Sequence, residues 1–317
     1  MLVHVGVLLL GLVILYFGAE WLIRGASSLA VGFGIPPLVV GLTVVALGTS
    51  LPEFMTNFIA ALGGNDGLAL GNIIGSNIAN VGLILGTSAV LVPLAVAPST
   101  LRREYPIMLG VLVVFYLLAL NETIGRFDGV LLIAGLVGFL GYLVRDVRRR
   151  SVGDGQVTAS PELTMPLWKK VLLLAGGIVG LAAGANLMVT SAVAIAEIFG
   201  IDPVIVGLTI VAVGTSLPEL AASIVGVFRS ETDLAVGNVI GSNLLNVLFV
   251  VGTVAFVRPL SVEAEALRIH FPVMIGFGAL ILLAWFKHRL ERWHGVLLLT
   301  AFVGYMAYLV LTALGRV

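Results

Sequence analysis

Apolar side chains run along most of the chain in stretches of roughly 17–25 residues, the length a helix needs to cross a hydrocarbon core of about 30 Å. Ten such stretches are predicted as helices, at about 2–23, 37–62, 68–93, 105–120, 127–144, 168–196, 204–227, 234–257, 269–287 and 294–314. The breaks between them are short and turn-like, as in Gly63-Gly64-Asn65-Asp66-Gly67 and Arg229-Ser230-Glu231-Thr232-Asp233. The longest break, 145–167, begins with Arg145-Asp146-Val147-Arg148-Arg149-Arg150, continues through Gly, Ser and Pro, and reads as a flexible linker. The first stretch has no basic segment ahead of it, so it is read as a span and not as a cleaved leader. The expected fold class is all-α: a polytopic membrane protein with five spans in 1–144, a cytoplasmic linker in 145–167 and five spans in 168–317.

The pattern repeats itself. Residues 41–53 read GLTVVALGTSLPE and residues 207–219 read GLTIVAVGTSLPE; residues 68–81 read LALGNIIGSNIANV and residues 234–247 read LAVGNVIGSNLLNV. Both pairs share an offset of 166 (207−41 and 234−68), and Gly18-Ala19, Gly34-Ile35 and Pro37 find their counterparts at that same offset. Because each half holds an odd number of spans, the second half must enter the membrane from the opposite side. A pseudo-two-fold axis in the membrane plane follows, with a site expected near mid-bilayer where the halves meet.

Composition sharpens this picture in two ways. Only 11% of residues are charged and 59% are hydrophobic, against about 25% charged in soluble domains. With ten spans, thirteen of the 17 Lys and Arg fall on one side, leaving Arg126, Arg258, Arg268 and Arg316 on the other. The positive-inside rule puts the crowded side in the cytoplasm, so both termini are expected outside a cell (plasma) membrane. There is no cysteine, and His4, His270, His288 and His294 all fall at or near span ends. Soft metal centres and nucleophile–base pairs at depth are thereby set aside, as are cofactors, leaving oxygen chemistry. A net charge of zero gives no sign of a nucleic-acid partner.

Two acidic residues are placed deep in the membrane, Glu53 and Glu219, each about fifteen residues into its span. A carboxylate at such a depth costs about 3 kcal/mol on insertion scales and marks a functional position. Pro52 and Pro218 precede them and break the helical hydrogen bonding, freeing carbonyls in the region of Ala46, Thr49, Ala212 and Thr215. Thr49 lies four residues before Glu53, and Thr215 four before Glu219, so each pair shares a helix face. Ser50 and Ser216 lie beside them. The third and eighth spans contribute polar stripes at four-residue spacing: Asn72, Ser76 and Asn80, mirrored by Asn238, Ser242 and Asn246, with Asn77 and Asn243 just off the stripe. Gly71 and Gly75, with Gly237 and Gly241, give small-residue faces for close helix contact. A cage of carboxylates, hydroxyls, amides and carbonyls suits calcium, which takes six to eight oxygens at about 2.3–2.6 Å. It equally suits sodium, and the residues alone do not choose between them.

At these positions the sequence resembles the sodium/calcium exchanger family, part of the calcium/cation antiporter superfamily, and most closely its prokaryotic type. The motifs that carry the resemblance are the doubled G-T-S-L-P-E and G-N-x-x-G-S-N, and the likeness extends over the whole chain. It implies a calcium site built from Glu53 and Glu219 with the carbonyls of Thr49 and Thr215. It further implies one sodium site from Ala46, Thr49, Ser50, Glu53 and Ser242, and another from Ala212, Thr215, Ser216, Glu219 and Ser76. Asn80 and Asn246 occupy the remaining central positions. Part of the family carries Asp where Asn246 stands; the amide removes a carboxylate and argues against potassium co-transport and a proton-carrying role there.

The implied function is antiport of sodium against calcium by alternating access, with the first and sixth spans moving against a rigid core and a monomer as the working unit. A proton/calcium antiporter is the alternative, a cation channel a more distant one, and an enzyme is not expected. Glu20 and Arg24, four residues apart, are expected to form an interfacial pair.

Overall fold

The computed structural model describes residues 1–151, 165–200, 206, 209–210, 212–285 and 287–315. Among these, seven helices are long and apolar enough to cross a membrane, and a bent pair, Pro37–Thr49 with Leu51–Leu62, makes an eighth span. The helix Glu104–Ala119 and the broken segment Ala212–Thr215 with Leu217–Phe228 supply the remaining two of ten. The start of the seventh span, from 204, lies largely outside the described residues.

The first span runs Leu2–Phe33 and the sixth Leu167–Ile198, each 32 residues. The first is longer than its apolar run predicts, because Ser27 and Ser28 are buried against protein and do not end the helix. Gly34 ends it instead, with a φ of 62° that a side chain disfavours. The fifth span continues from Arg126 to Ser151, into the segment read as linker, since its arginines are good helix formers. Residues 152–164 of that segment lie outside the described residues.

Backbone contacts carry the inverted symmetry. The first and sixth spans pack antiparallel, Gly11 against Gly184, Gly18 against Gly177 and Gly25 against Leu174. Adding 166 to 11 gives 177 and subtracting it from 184 gives 18, so the first contact maps onto the second. A Cβ at Gly18 would fall 2.6 Å from the Leu181 nitrogen, so only glycine allows this approach. The strands repeat the lesson. Strand β1 (Leu94–Ala95) pairs with β4 (Arg289–Leu290), and β2 (Thr123–Ile124) pairs with β3 (Leu260–Ser261). The same offset carries β1 onto β3 and β2 onto β4, so the two ladders are mates at opposite membrane faces.

The third and eighth spans are the most enclosed, with 72% and 83% of their apolar windows buried, against 22% for the first and sixth. One large apolar cluster joins spans three to five with eight to ten. A smaller one, including Leu22, Ile23, Leu181 and Ala222, holds the first and sixth spans against the second, seventh and eighth. Glu20 does not pair with Arg24: Arg229, from the turn after the seventh span, donates to both of its oxygens. Spacing within one helix permitted the local pair, and a bidentate partner from another element displaced it.

Candidate functional site

The second and seventh spans break at the same place. Ser50 (φ −85°, ψ 2°) and Ser216 (φ −92°, ψ 5°) leave the helix, and a new helix starts at Leu51 and Leu217 with proline in its first turn. Proline suits that position because its missing N–H is not needed there. In the second span the two pieces meet at 47°. Glu53 and Glu219 thus stand in the first turn of a half-helix, where the helix dipole favours negative charge. Both are 2% exposed.

The expected ligands gather around them. Ser50 Oγ donates to Glu219 Oε1 at 3.1 Å and lies 3.3 Å from Ser242 Oγ, so one hydroxyl links both repeats. Thr49 Oγ1 donates to Asn238 Oδ1 at 3.3 Å; Asn238 Nδ2 in turn reaches Ser223 Oγ at 3.2 Å and the Glu219 carbonyl at 3.4 Å. The mate of that chain runs Thr215 Oγ1 to Asn72 Oδ1 at 3.3 Å and Asn72 Nδ2 to Asn57 Oδ1 at 3.1 Å. Asn57 Nδ2 also holds the Glu53 carbonyl at 2.7 Å. Asn80 Nδ2 donates to Asn243 Oδ1 at 3.0 Å. Asn80 and Asn246 each open a π-helical turn, Asn80–Leu85 and Asn246–Val251, a distortion common at functional sites.

The Ala46 carbonyl differs from expectation. It already accepts the Ser50 N–H at 2.9 Å and the Thr49 hydroxyl at 3.3 Å. The acceptor deprived by Pro52 is the carbonyl four residues back, that of Gly48. An ion contact at Ala46 therefore has to displace the Thr49 hydroxyl. Ala212 opens the short helix Ala212–Thr215. Asn57 and Ser223 were not anticipated, although both sit four residues after a glutamate and on its face.

Among the described residues, six buried oxygens at this junction have no hydrogen-bond partner: Glu53 Oε2, Glu219 Oε2, Ser76 Oγ, Ser216 Oγ, Asn80 Oδ1 and Asn246 Oδ1. Buried acceptors without donors are costly, and a hard cation is the species that satisfies several at once. Among the described residues no three carboxylate, imidazole or thiol side chains cluster, so any ion here is held by two charges and neutral oxygens.

Among the described residues, a cavity reaches the site from one side. A cavity of about 530 Å³ reaches Asn72, Ser76 and Thr215 from the face that carries Gly67 and His270. A Cβ at Gly71 or Gly75, on its wall, would meet none of the described residues within 4 Å. At the mates, a Cβ on Gly237 would fall 2.6 Å from the Leu38 carbonyl, and on Gly241 2.5 Å from that of Leu42. Among the described residues, one face is open and its mate is closed.

Comparison with known proteins fits this geometry. The family model described as sodium/calcium exchanger protein matches the chain twice, over residues 3–145 and 169–311. The putative antiporter CaxA of Alkalimonas amylolytica is 39% identical over 312 residues, covering 96% of this chain and 98% of that protein. Inner membrane protein YrbG of Escherichia coli (strain K12) is 36% identical, with 98% and 97% covered. Sodium/calcium exchanger MaX1 of Methanosarcina acetivorans is 31% identical, with 96% and 97% covered. The solved structure of the sodium-calcium exchanger NCX_Mj, soaked with 2.5 mM Na+ and 0.1 mM Ca2+, superposes with a TM-score of 0.83 at 31% identity and covers 97% of this chain and 98% of its own.

Proposed function

Because the chain belongs to the sodium/calcium exchanger family, a family of membrane transporters and not of enzymes, we propose that it exchanges sodium for calcium across the cell membrane by alternating access. The observation that carries this reading is the pair of buried carboxylates, Glu53 and Glu219, set among symmetry-related hydroxyls and amides. Two carboxylates balance one calcium ion. The surrounding Thr49, Ser50, Ser242 and Asn80, with Thr215, Ser216, Ser76 and Asn246, supply neutral oxygens that also replace water around sodium. Shared oxygens make occupancy by the two ions competitive, and competition at a site open to one side at a time yields exchange. The charge asymmetry of the loops assigns both termini and the open cavity to the extracellular side, so this conformer faces outward. A single chain holds the whole oxygen set.

The test is calcium uptake into proteoliposomes loaded with sodium and diluted into sodium-free buffer. Uptake that requires internal sodium supports the exchanger. Uptake driven by an imposed proton gradient instead moves the protein to proton/calcium antiport, and calcium flux without a counter-ion makes it a channel.

A further inference from the structure

His270 lines the open cavity, and its Nδ1 lies 3.0 Å from Tyr305 Oη of the tenth span. Its repeat mate, 166 residues earlier, is Glu104, at the start of the fourth span. Glu104 is 2% exposed; Oε1 accepts the Tyr142 hydroxyl at 2.9 Å, while Oε2 is buried without a partner. Tyr142 belongs to the fifth span, the mate of the tenth, so both positions are tied to a tyrosine of the equivalent helix. Arg103, beside Glu104, turns instead to Asp146 at 2.8 Å.

Carried across by 166, the lining of the open cavity predicts its mate on the cytoplasmic face. Asn72, Ser76 and Thr215 become Asn238, Ser242 and Thr49, which is the same chemistry. His270 becomes Glu104, and Gly67 becomes the exposed Asp233. Building on the alternating-access reading above, we infer that Glu104, with Asp233, forms a cation-recruiting vestibule on the cytoplasmic side, at the positions that carry His270 and Gly67 in the extracellular one. In the present conformer Glu104 is sealed with Tyr142. When the cytoplasmic side opens, two carboxylates face water at the mouth and raise the local concentration of calcium and sodium. The free Oε2 is a ready oxygen ligand for a passing divalent ion.

The experiment uses right-side-out and inside-out membrane vesicles, with calcium varied on one side at a time. Glu104→Gln keeps an acceptor for Tyr142 and removes only the charge. It is expected to raise the cytoplasmic half-saturating calcium about tenfold, with the maximal rate and the extracellular half-saturation each within about twofold. Asp233→Asn shifts the same parameter in the same direction, and Glu104→Asp restores it in part. A shift equal on both sides, or none on the cytoplasmic side, overturns the proposal. The chain contains no cysteine, so Glu104→Cys gives a single thiol for a membrane-impermeant reagent. Labelling from the cytoplasmic face only, and faster under sodium and calcium gradients than without them, is expected; a thiol at 104 that never reacts from that face overturns the proposal. This readout is independent of calcium flux. If wild-type vesicles carry no calcium, the exchange reading fails and labelling still decides the vestibule.

Discussion

The wall formed by Gly71 and Gly75 and the wall formed by Gly237 and Gly241 come from nearly identical sequence, yet one borders a cavity and the other is pressed against the second span. The hydrogen bonds behind them match as well: Thr215–Asn72–Asn57 on the open side, Thr49–Asn238–Ser223 on the closed side. The difference between the halves is therefore one of arrangement. Two equivalent surfaces cannot both be open if the ion site is to face one side at a time, and here one borders a cavity while the other is packed.

The sharpest test of equivalence is at the carboxylates. Glu53→Gln and Glu219→Gln should each lower calcium flux by about two orders of magnitude, since removing one charge of a buried ionic site costs about 2–5 kcal/mol. A large inequality between them would break the symmetry argument at its centre. Next come the glycines. Gly237→Ala and Gly241→Ala should destabilise this conformer by about 1–3 kcal/mol through backbone overlap, read as a lower Tm in detergent. Gly71→Ala and Gly75→Ala should stay within about 0.5 kcal/mol. Equal losses in both pairs would show that the open face is not open.

The amides should differ in the same sense. Asn238→Ala removes bonds to Thr49, Ser223 and the Glu219 carbonyl in a closed wall, a loss of about 1–3 kcal/mol. Asn72→Ala should cost less, because water from the cavity replaces its bonds. The smallest effect concerns a mated pair of caps. In the first half Asp128 Oδ2 accepts the Gly125 N–H at 2.7 Å; in the second, His294 Nδ1 accepts the Glu291 N–H at 2.8 Å. Lys287 also bonds Glu291 and holds its carboxyl below the usual carboxylate range. A protonated imidazole has no lone pair to accept with, so acid that charges His294 should remove the second-half cap. The loss, about 0.5–1 kcal/mol, should disappear from the pH dependence of Tm in His294→Asp.

Much of this was legible in the residues. The GTSLPE and GNxxGSN repeats mark the broken helices and polar stripes, because proline, glycine and buried amides each have a narrow physical use at membrane depth. The cap of carboxylates and hydroxyls at Glu53 and Glu219 followed from that. Helix ends were less legible: Ser27 and Ser28 look like the edge of a span, and only tertiary burial shows that they lie inside one. Glu20 shows the same limit, since its partner Arg229 is more than two hundred residues away in sequence. Which face is open could not be read at all. Both halves carry the same motif, and the choice lies in packing between elements, as when Gly241 meets Leu42.

The two short ladders have a mechanical consequence. Strand β1 fastens the connection after the third span to the one before the tenth, and β2 fastens the connection after the fourth to the one after the eighth. Each repeat is thus stitched to the other at both membrane faces. The repeats cannot rock apart as two rigid bodies, because any hinge between them would have to tear a stitch at one face. Spans three to five and eight to ten behave as one closed hoop, while neither ladder captures the first or sixth span. On the alternating-access proposal the protein becomes a frame with a single slider, and the glycine-lined seam between those two long helices is the rail that would travel with it.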